Sequence, residues 1–301
     1  MSSRELDNLY DEFGITQYHA NGIKGQGVSI LVIDTGLDRS SDNNVHGLAV
    51  ASLITGDTEG RIRGIAPLAT VHVADVRDPS SIPIGVVIEA MRSGIAKGVD
   101  LLCISLGTSD PWGPMQEVVS AAKEAGILLF AAAGNSGERG YEFPAACEEA
   151  ISVASMNSAR QPSPFNTRND AVVVFAPGEK LRLPTGQHGR LEEFTGTSFA
   201  TPFAVGVAAL VLSKERIAKS DKSLRLPRRV MVDRLRDPDH FGLNCTDHTY
   251  VIDKTCTDFQ AAPTLGERGP KDDSVRRVRL GFIILALLIA FVTLSLFHQN
   301  K

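Results

Sequence analysis

Six short apolar runs, at residues 28–33, 71–76, 101–105, 127–132, 151–154 and 172–175, alternate with amphipathic stretches at 46–54, 84–97 and 115–124. Most of the runs are continuously apolar, as in strands covered on both faces; a strand with one wet face alternates instead. A strand covered twice needs helices above and below it, and a βαβ alternation supplies them. The expectation is an α/β fold with a doubly wound, mostly parallel sheet in three α/β/α layers. In such sheets chemistry gathers just beyond the carboxyl ends of the strands.

Composition narrows the classes of protein. Of 301 residues, 43% are hydrophobic and 22% charged, which is ordinary globular usage. A net charge of −4 gives no reason to expect a nucleic-acid partner. The four cysteines, Cys103, Cys147, Cys245 and Cys256, form no CxxC pair and are too scattered for a disulfide scaffold or a structural zinc. Cys245 and Cys256 would pair only in an oxidising compartment, and the glycosylation pattern at Asn244-Cys245-Thr246 matters only on a lumenal face.

The two ends differ. The N-terminus lacks a basic region followed by an apolar stretch, so no secretory signal is expected. Residues 280–297 are eighteen residues without a charge. As a helix they extend roughly 27 Å, close to the ~30 Å hydrocarbon core of a bilayer. A buried or dimerising helix is the other reading, although nothing polar marks one face for solvent. Arg276, Arg277 and Arg279 precede the stretch and Lys301 alone follows it. Positive flanks stay in the cytoplasm, so the expectation is a single-pass tail anchor with the large N-terminal part inside. Residues 199–212 are also apolar, but too short to span, and with Pro202 in their first turn they read as a buried core helix. Residues 224–239 read as a charged helix. The chain thus divides into a main domain (1–263), a polar and basic linker (264–279), a membrane helix (280–297) and a short tail (298–301).

Four motifs carry chemistry. The first run ends in Ile33-Asp34-Thr35-Gly36, which places a carboxylate at a strand's carboxyl end. His46-Gly47 opens the next helix, where the dipole disfavours imidazolium and a nearby acid would restore it. Gly134-Asn135-Ser136-Gly137 follows the fourth run, and its Asn135 amide is a candidate oxyanion donor. Gly196-Thr197-Ser198 stands at the mouth of the buried helix; a serine there needs an adjacent base to become a nucleophile. By contrast Gly22, Gly25 and Gly27 precede the first strand, the wrong order for a dinucleotide fingerprint, and read as a turn.

In the order Asp, His, Asn, Ser, these motifs resemble the subtilisin-like (subtilase) serine proteases. Gly64-Ile65-Ala66-Pro67, Ser105-Leu106-Gly107, Phe143-Pro144-Ala145-Ala146 and Ala176-Pro177-Gly178 extend the resemblance, as does the segment ending Asp258-Phe259-Gln260-Ala261-Ala262. It implies a serine endopeptidase with Ser198 as nucleophile, His46 as general base then acid, Asp34 as the orienting carboxylate and Asn135 as oxyanion donor. It also implies that Ser105, Leu106 and Gly107 pair with an extended polypeptide substrate, and that Ala132, Ala133 and Gly134 wall the pocket for the side chain before the cut. No cofactor is required on this reading. A calcium ion is possible through Asp38, Asp42 or Asp57, but no oxygen-rich loop of fixed spacing supports one. Eleven residues separate Asp34 from His46, fewer than is usual in the family, yet such a link reaches about 35 Å when extended and closes easily. The competing class is a catalytically silent protein that binds extended peptides on the same fold.

Overall fold

The computed structural model describes residues 3–35, 45–77, 82–185, 190–244 and 277–278. Helices α1 (Ser3–Glu12) and α2 (Ile15–Ala20) come first. They are followed by β1 (Ser29–Asp34), α3 (His46–Thr55), β2 (Thr70–Asp75), β3 (Ile82–Pro83), α4 (Ile84–Lys97), β4 (Leu101–Ile104), α5 (Gly113–Glu124) and β5 (Leu128–Ala132). Next are β6 (Ile151–Met156), β7 (Val172–Pro177), the hairpin of β8 (Leu181–Pro184) and β9 (Leu191–Phe194), α6 (Thr197–Lys219), α7 (Arg228–Arg236) and β10 (Arg277–Val278).

Six of the strands form one parallel sheet in the order β2-β1-β4-β5-β6-β7. Its pleat sorts the continuous apolar runs onto two faces, because successive side chains point opposite ways. Ile30, Val32, Leu101, Cys103, Leu128 and Phe130 join α3, α6 and α1 in one apolar core. Leu31, Ile33, Leu102, Ile104, Leu129 and Ala131 join α4 and α5 in the other. The three-layer expectation therefore holds. β2 departs from it: as the edge strand it keeps half-exposed and exposed positions along its length.

Several elements differ from the sequence reading. α1 and the residue after it place Leu6, Leu9, Tyr10 and Phe13 at i, i+3, i+4, i+7 spacing and bury all four, with Tyr10 Oη donating to the Arg63 carbonyl at 2.7 Å. The helix expected over 224–239 is confined to α7, because Pro227 fixes its start. α6 runs 23 residues, is apolar enough to cross a membrane by length and composition, and is 94% buried over its most apolar window. It is the central core helix, as residues 199–212 suggested. Residues 280–297 lie outside the described residues. The basic stretch before them does touch the domain: Arg277 and Val278 pair antiparallel with Pro83 and Ile82.

The sheet's amino-terminal end is locked by charge. Asp100, which precedes β4, accepts from Arg216 of α6 at 2.7 and 3.0 Å and from the Ser29 backbone N–H at 2.8 Å, and Arg225 lies 2.9 Å from it. Asp100 and Arg216 are almost fully buried, so each satisfies a charge that would otherwise be costly to bury. One end of α6 is thereby fixed below the sheet while its N-terminus stands above, at the strands' carboxyl ends.

Candidate active site

The sheet order reverses direction between β1 and β4, and a crevice opens above such a point. Asp34 is the last residue of β1 and is fully buried. Its Oδ1 accepts from the Thr35 backbone N–H at 2.7 Å, from Thr35 Oγ1 at 3.2 Å and from His46 Nδ1 at 2.8 Å. A carboxylate only accepts, so Nδ1–H is the donor and Nε2 is left as the lone-pair nitrogen. His46 is the first residue of α3, and its ring packs 5.0 Å from that of Phe199. Twelve residues apart in sequence, Asp34 and His46 are in hydrogen-bond contact.

Ser198 is the second residue of α6, where backbone N–H groups lack helical partners and the dipole favours negative charge. Pro202 is the sixth residue of this helix rather than part of its first turn, since α6 begins at Thr197. Proline has no N–H, so the Ser198 carbonyl loses its i+4 donor. Ser105 Oγ replaces it at 2.9 Å, which fastens the segment after β4 to Ser198.

Asn135 approaches from the other side. Its Oδ1 accepts from the Thr197 backbone N–H at 2.8 Å, which fixes the amide orientation. A Cβ on Gly196 would stand 3.2 Å from Ser198 Oγ and 3.5 Å from Asn135 Nδ2. Glycine thus leaves a small space bordered by the hydroxyl and the amide. Thr197 Oγ1 accepts from the Gly134 N–H at 3.2 Å and completes the link between α6 and the turn after β5. Among the described residues Ser198 Oγ and Asp34 Oδ2 are buried with no hydrogen-bond partner. The hydrogen bond from serine to imidazole is therefore open in this arrangement.

The two described cysteines are poor nucleophiles. Burial, reinforced by the negative charge of Asp34, pushes the Cys103 thiol far above its ordinary range, and burial pushes Cys147 up to about 12. Both stay protonated, and a thiol is inert in that form. Among the described residues no group of three or more His, Cys, Asp or Glu is placed to hold a metal. Asp57 is not a solvated turn carboxylate: its side chain is 1% exposed, and it accepts from Arg61 Nε at 2.6 Å and the Ile62 N–H at 2.9 Å. Asp38 and Asp42 lie outside the described residues.

The other expected site residues also cluster here. Ser105 and Leu106 are buried, Leu106 within the α4–α5 core, and Gly107 after them is half-buried. Ala132 and Ala133 are buried at the end of β5, and Gly134 sits at φ +104°. The sequence reading gave no role to Thr35, which supports Asp34, nor to Glu142 and Thr167, whose side chains pack on the open face of Gly134. The available signal for Glu142 was its place directly before the Phe143-Pro144 turn.

The profile described as Peptidase_S8, Subtilase family, matches residues 34–235, about two-thirds of the chain and the span from Asp34 past Ser198. The chain belongs to the subtilase family. It is 32% identical over 253 residues to the major intracellular serine protease of Bacillus subtilis (strain 168), covering 70% of this chain and 78% of that one. It is 31% identical over 235 residues to Subtilisin E of the same organism, covering 67% of this chain and 61% of the relative's length. Among solved structures, the self-cleaved protease domain of PatA superposes with a TM-score of 0.64 at 25% identity, covering 76% of this chain and 97% of that domain. This subtilase is accordingly a serine-type endopeptidase.

Proposed function

We propose that this subtilase cuts polypeptides through an acyl-enzyme on Ser198 and that residues 280–297 tether it to a membrane, with the catalytic domain in the cytoplasm. The observation that carries the catalytic part is the 2.8 Å bond from Asp34 to His46 beside the space that Gly196 leaves between Ser198 Oγ and Asn135 Nδ2. An extended substrate lies along Ser105, Leu106 and Gly107, adding a strand to the domain. His46 Nε2 takes the proton as Ser198 Oγ bonds to the carbonyl carbon. The carbonyl oxygen becomes an oxyanion that accepts from Asn135 Nδ2. The C–N bond then breaks, and His46 returns the proton to the leaving amine. Water, activated by the same imidazole, releases the acid and restores the serine. The serine–imidazole bond closes as substrate enters, since catalytic hydrogen bonds commonly tighten only in the complex. No metal takes part in these steps; a calcium ion bound elsewhere would be structural.

Hydrolysis of quenched peptides by the full chain tests the reading. Asn135→Leu is expected to lower kcat by about 10²–10³ with little change in KM, because the donor acts on charge present only in the transition state. Unchanged kcat would remove Asn135 from this role, and a well-folded wild type that binds but never cuts peptides would leave a silent binding protein. The tether rests on the length and flanks of residues 280–297. Washing membranes at alkaline pH should leave the full chain in the pellet and release a version lacking 280–297; release of both would refute it.

A further inference from the structure

β3 stands at the carboxyl end of the sheet, the end at which Asp34, His46 and Ser198 are placed. The chain leaves β2 at Val76, whose N–H donates to the Asp34 carbonyl at 3.0 Å, and six residues later reaches Ile82. From Pro83 it passes directly into α4, which descends the height of the sheet to deliver β4 parallel to β1. The 14 residues of α4 extend about 21 Å. Ile82 and Ile84 accordingly share an apolar core with Ile33, Ile104 and Leu106, at or just past the ends of β1 and β4. β10 therefore lies on the rim of the crevice. Arg277 pairs with Pro83 and Val278 with Ile82 in antiparallel register, so the chain leaves Val278 on the Ile82 side, away from α4.

The uncharged stretch begins two positions after Val278, at Leu280. Two residues reach at most about 7 Å, which is the depth of one headgroup layer, roughly 5–8 Å. We infer that the domain rests on the lipid surface through this rim, with the crevice opening toward the bilayer. The inference rests on residues 280–297 as the membrane segment. With Leu280 at the edge of the hydrocarbon, β10 and β3 stand at headgroup level. The surface there suits that position. Val86, three residues past Pro83 in the first turn of α4, is 44% exposed, and the half-buried Trp112 caps α5 at the same end of the sheet. The sequence around β10 adds Arg276, Arg277 and Arg279, cations that anionic headgroups attract. Lys219 and Lys222 are exposed at the opposite end, past Arg216. A slack tether would let an anionic surface draw that end down; a span held by β10 keeps it the length of α4 away. The polypeptides nearest Ser198 are then segments at the membrane surface.

The test puts one fluorophore on the full chain in vesicles of phosphatidylcholine and phosphatidylglycerol that carry a quencher on their headgroups. Cys245 and Cys256 are replaced by serine, the buried Cys103 and Cys147 are kept, and the label is attached to Val86→Cys or to Lys222→Cys. Flotation with the vesicles is measured first, and needs no activity. In chains that float, quenching at residue 86 should be severalfold stronger than at residue 222. A 20-residue Gly-Ser linker between Arg279 and Leu280, spanning about 25 Å, should preserve flotation and remove most of that difference. Equal quenching at the two positions, or stronger quenching at 222, overturns the inference and leaves the tether standing. A difference that the linker does not reduce overturns β10 as its cause. Chains that do not float overturn the tether and the inference with it.

Discussion

Ser198→Ala is expected to lower kcat by about 10⁶-fold, the scale on which loss of a nucleophile acts when acid, base and nucleophile work as one unit. The substitution removes one oxygen from a side chain that is 5% exposed and makes no hydrogen bond among the described residues. Its cost to folding should therefore be small, within about 1 kcal/mol, since no paired group is stranded. On the proposed mechanism, what disappears is the hydroxyl whose proton His46 takes. Residual turnover would come from positioning and the oxyanion donor alone. Substrate binding along residues 105–107 should survive, because Ser105 bonds to the carbonyl of residue 198 rather than to its side chain. Steady-state hydrolysis of one peptide by wild type and variant, with thermal unfolding as a control, separates the two effects. Retention of even a tenth of wild-type kcat would mean that another group carries the reaction.

Asp34→Asn should lower kcat by about 10⁴-fold, less than loss of the serine but far more than a surface change. The reason lies in one atom. Asp34 Oδ1 accepts from His46 Nδ1, from Thr35 N–H and from Thr35 Oγ1, all within 3.2 Å. An asparagine that kept its oxygen toward Thr35 and His46 would lose the negative charge that stabilises imidazolium. One that turned its NH₂ toward His46 would demand a lone pair on Nδ1, place the proton on Nε2 and leave no base facing Ser198. Either orientation slows chemistry without blocking the cleft, so KM should move little. A kcat–pH profile checks the account: activity should partly recover at high pH if the wrong tautomer is at fault, and an unchanged profile with full kcat would show that Asp34 orients nothing.

Much of this arrangement was legible in the chain because its key residues sit in short local contexts that physics constrains. A carboxylate at the end of an apolar run, a histidine opening a helix and a serine between small residues at a buried helix each mark a position on an α/β sheet. The parallel order of the strands then brings those positions together above β1 and β4. What was not legible depends on pairings remote in sequence. Glu142 is set against Gly107 and Gly134, 35 and 8 residues away in sequence, and the turn beside it does not reveal those partners. Asp57 reads as a turn acid until Arg61 and the Ile62 N–H close over it. α1 escaped because its apolar stripe of four residues lies among charges and becomes a core face only when the Arg63 segment and β8 are present to receive it. Pro202 was legible as a feature of the helix start, but its role needs the partner: Ser105 takes the acceptor that proline leaves open.

The claim on which all of this depends is that the reacting atom is Ser198 Oγ, activated by His46. Peptide mapping of the full chain after treatment with a fluorophosphonate tests it most directly. The account predicts one covalent adduct, on the peptide containing Ser198, and no adduct in Ser198→Ala or, over the same time, in His46→Ala. An adduct on a different residue, or a folded and proteolytically active chain that carries none, would contradict it.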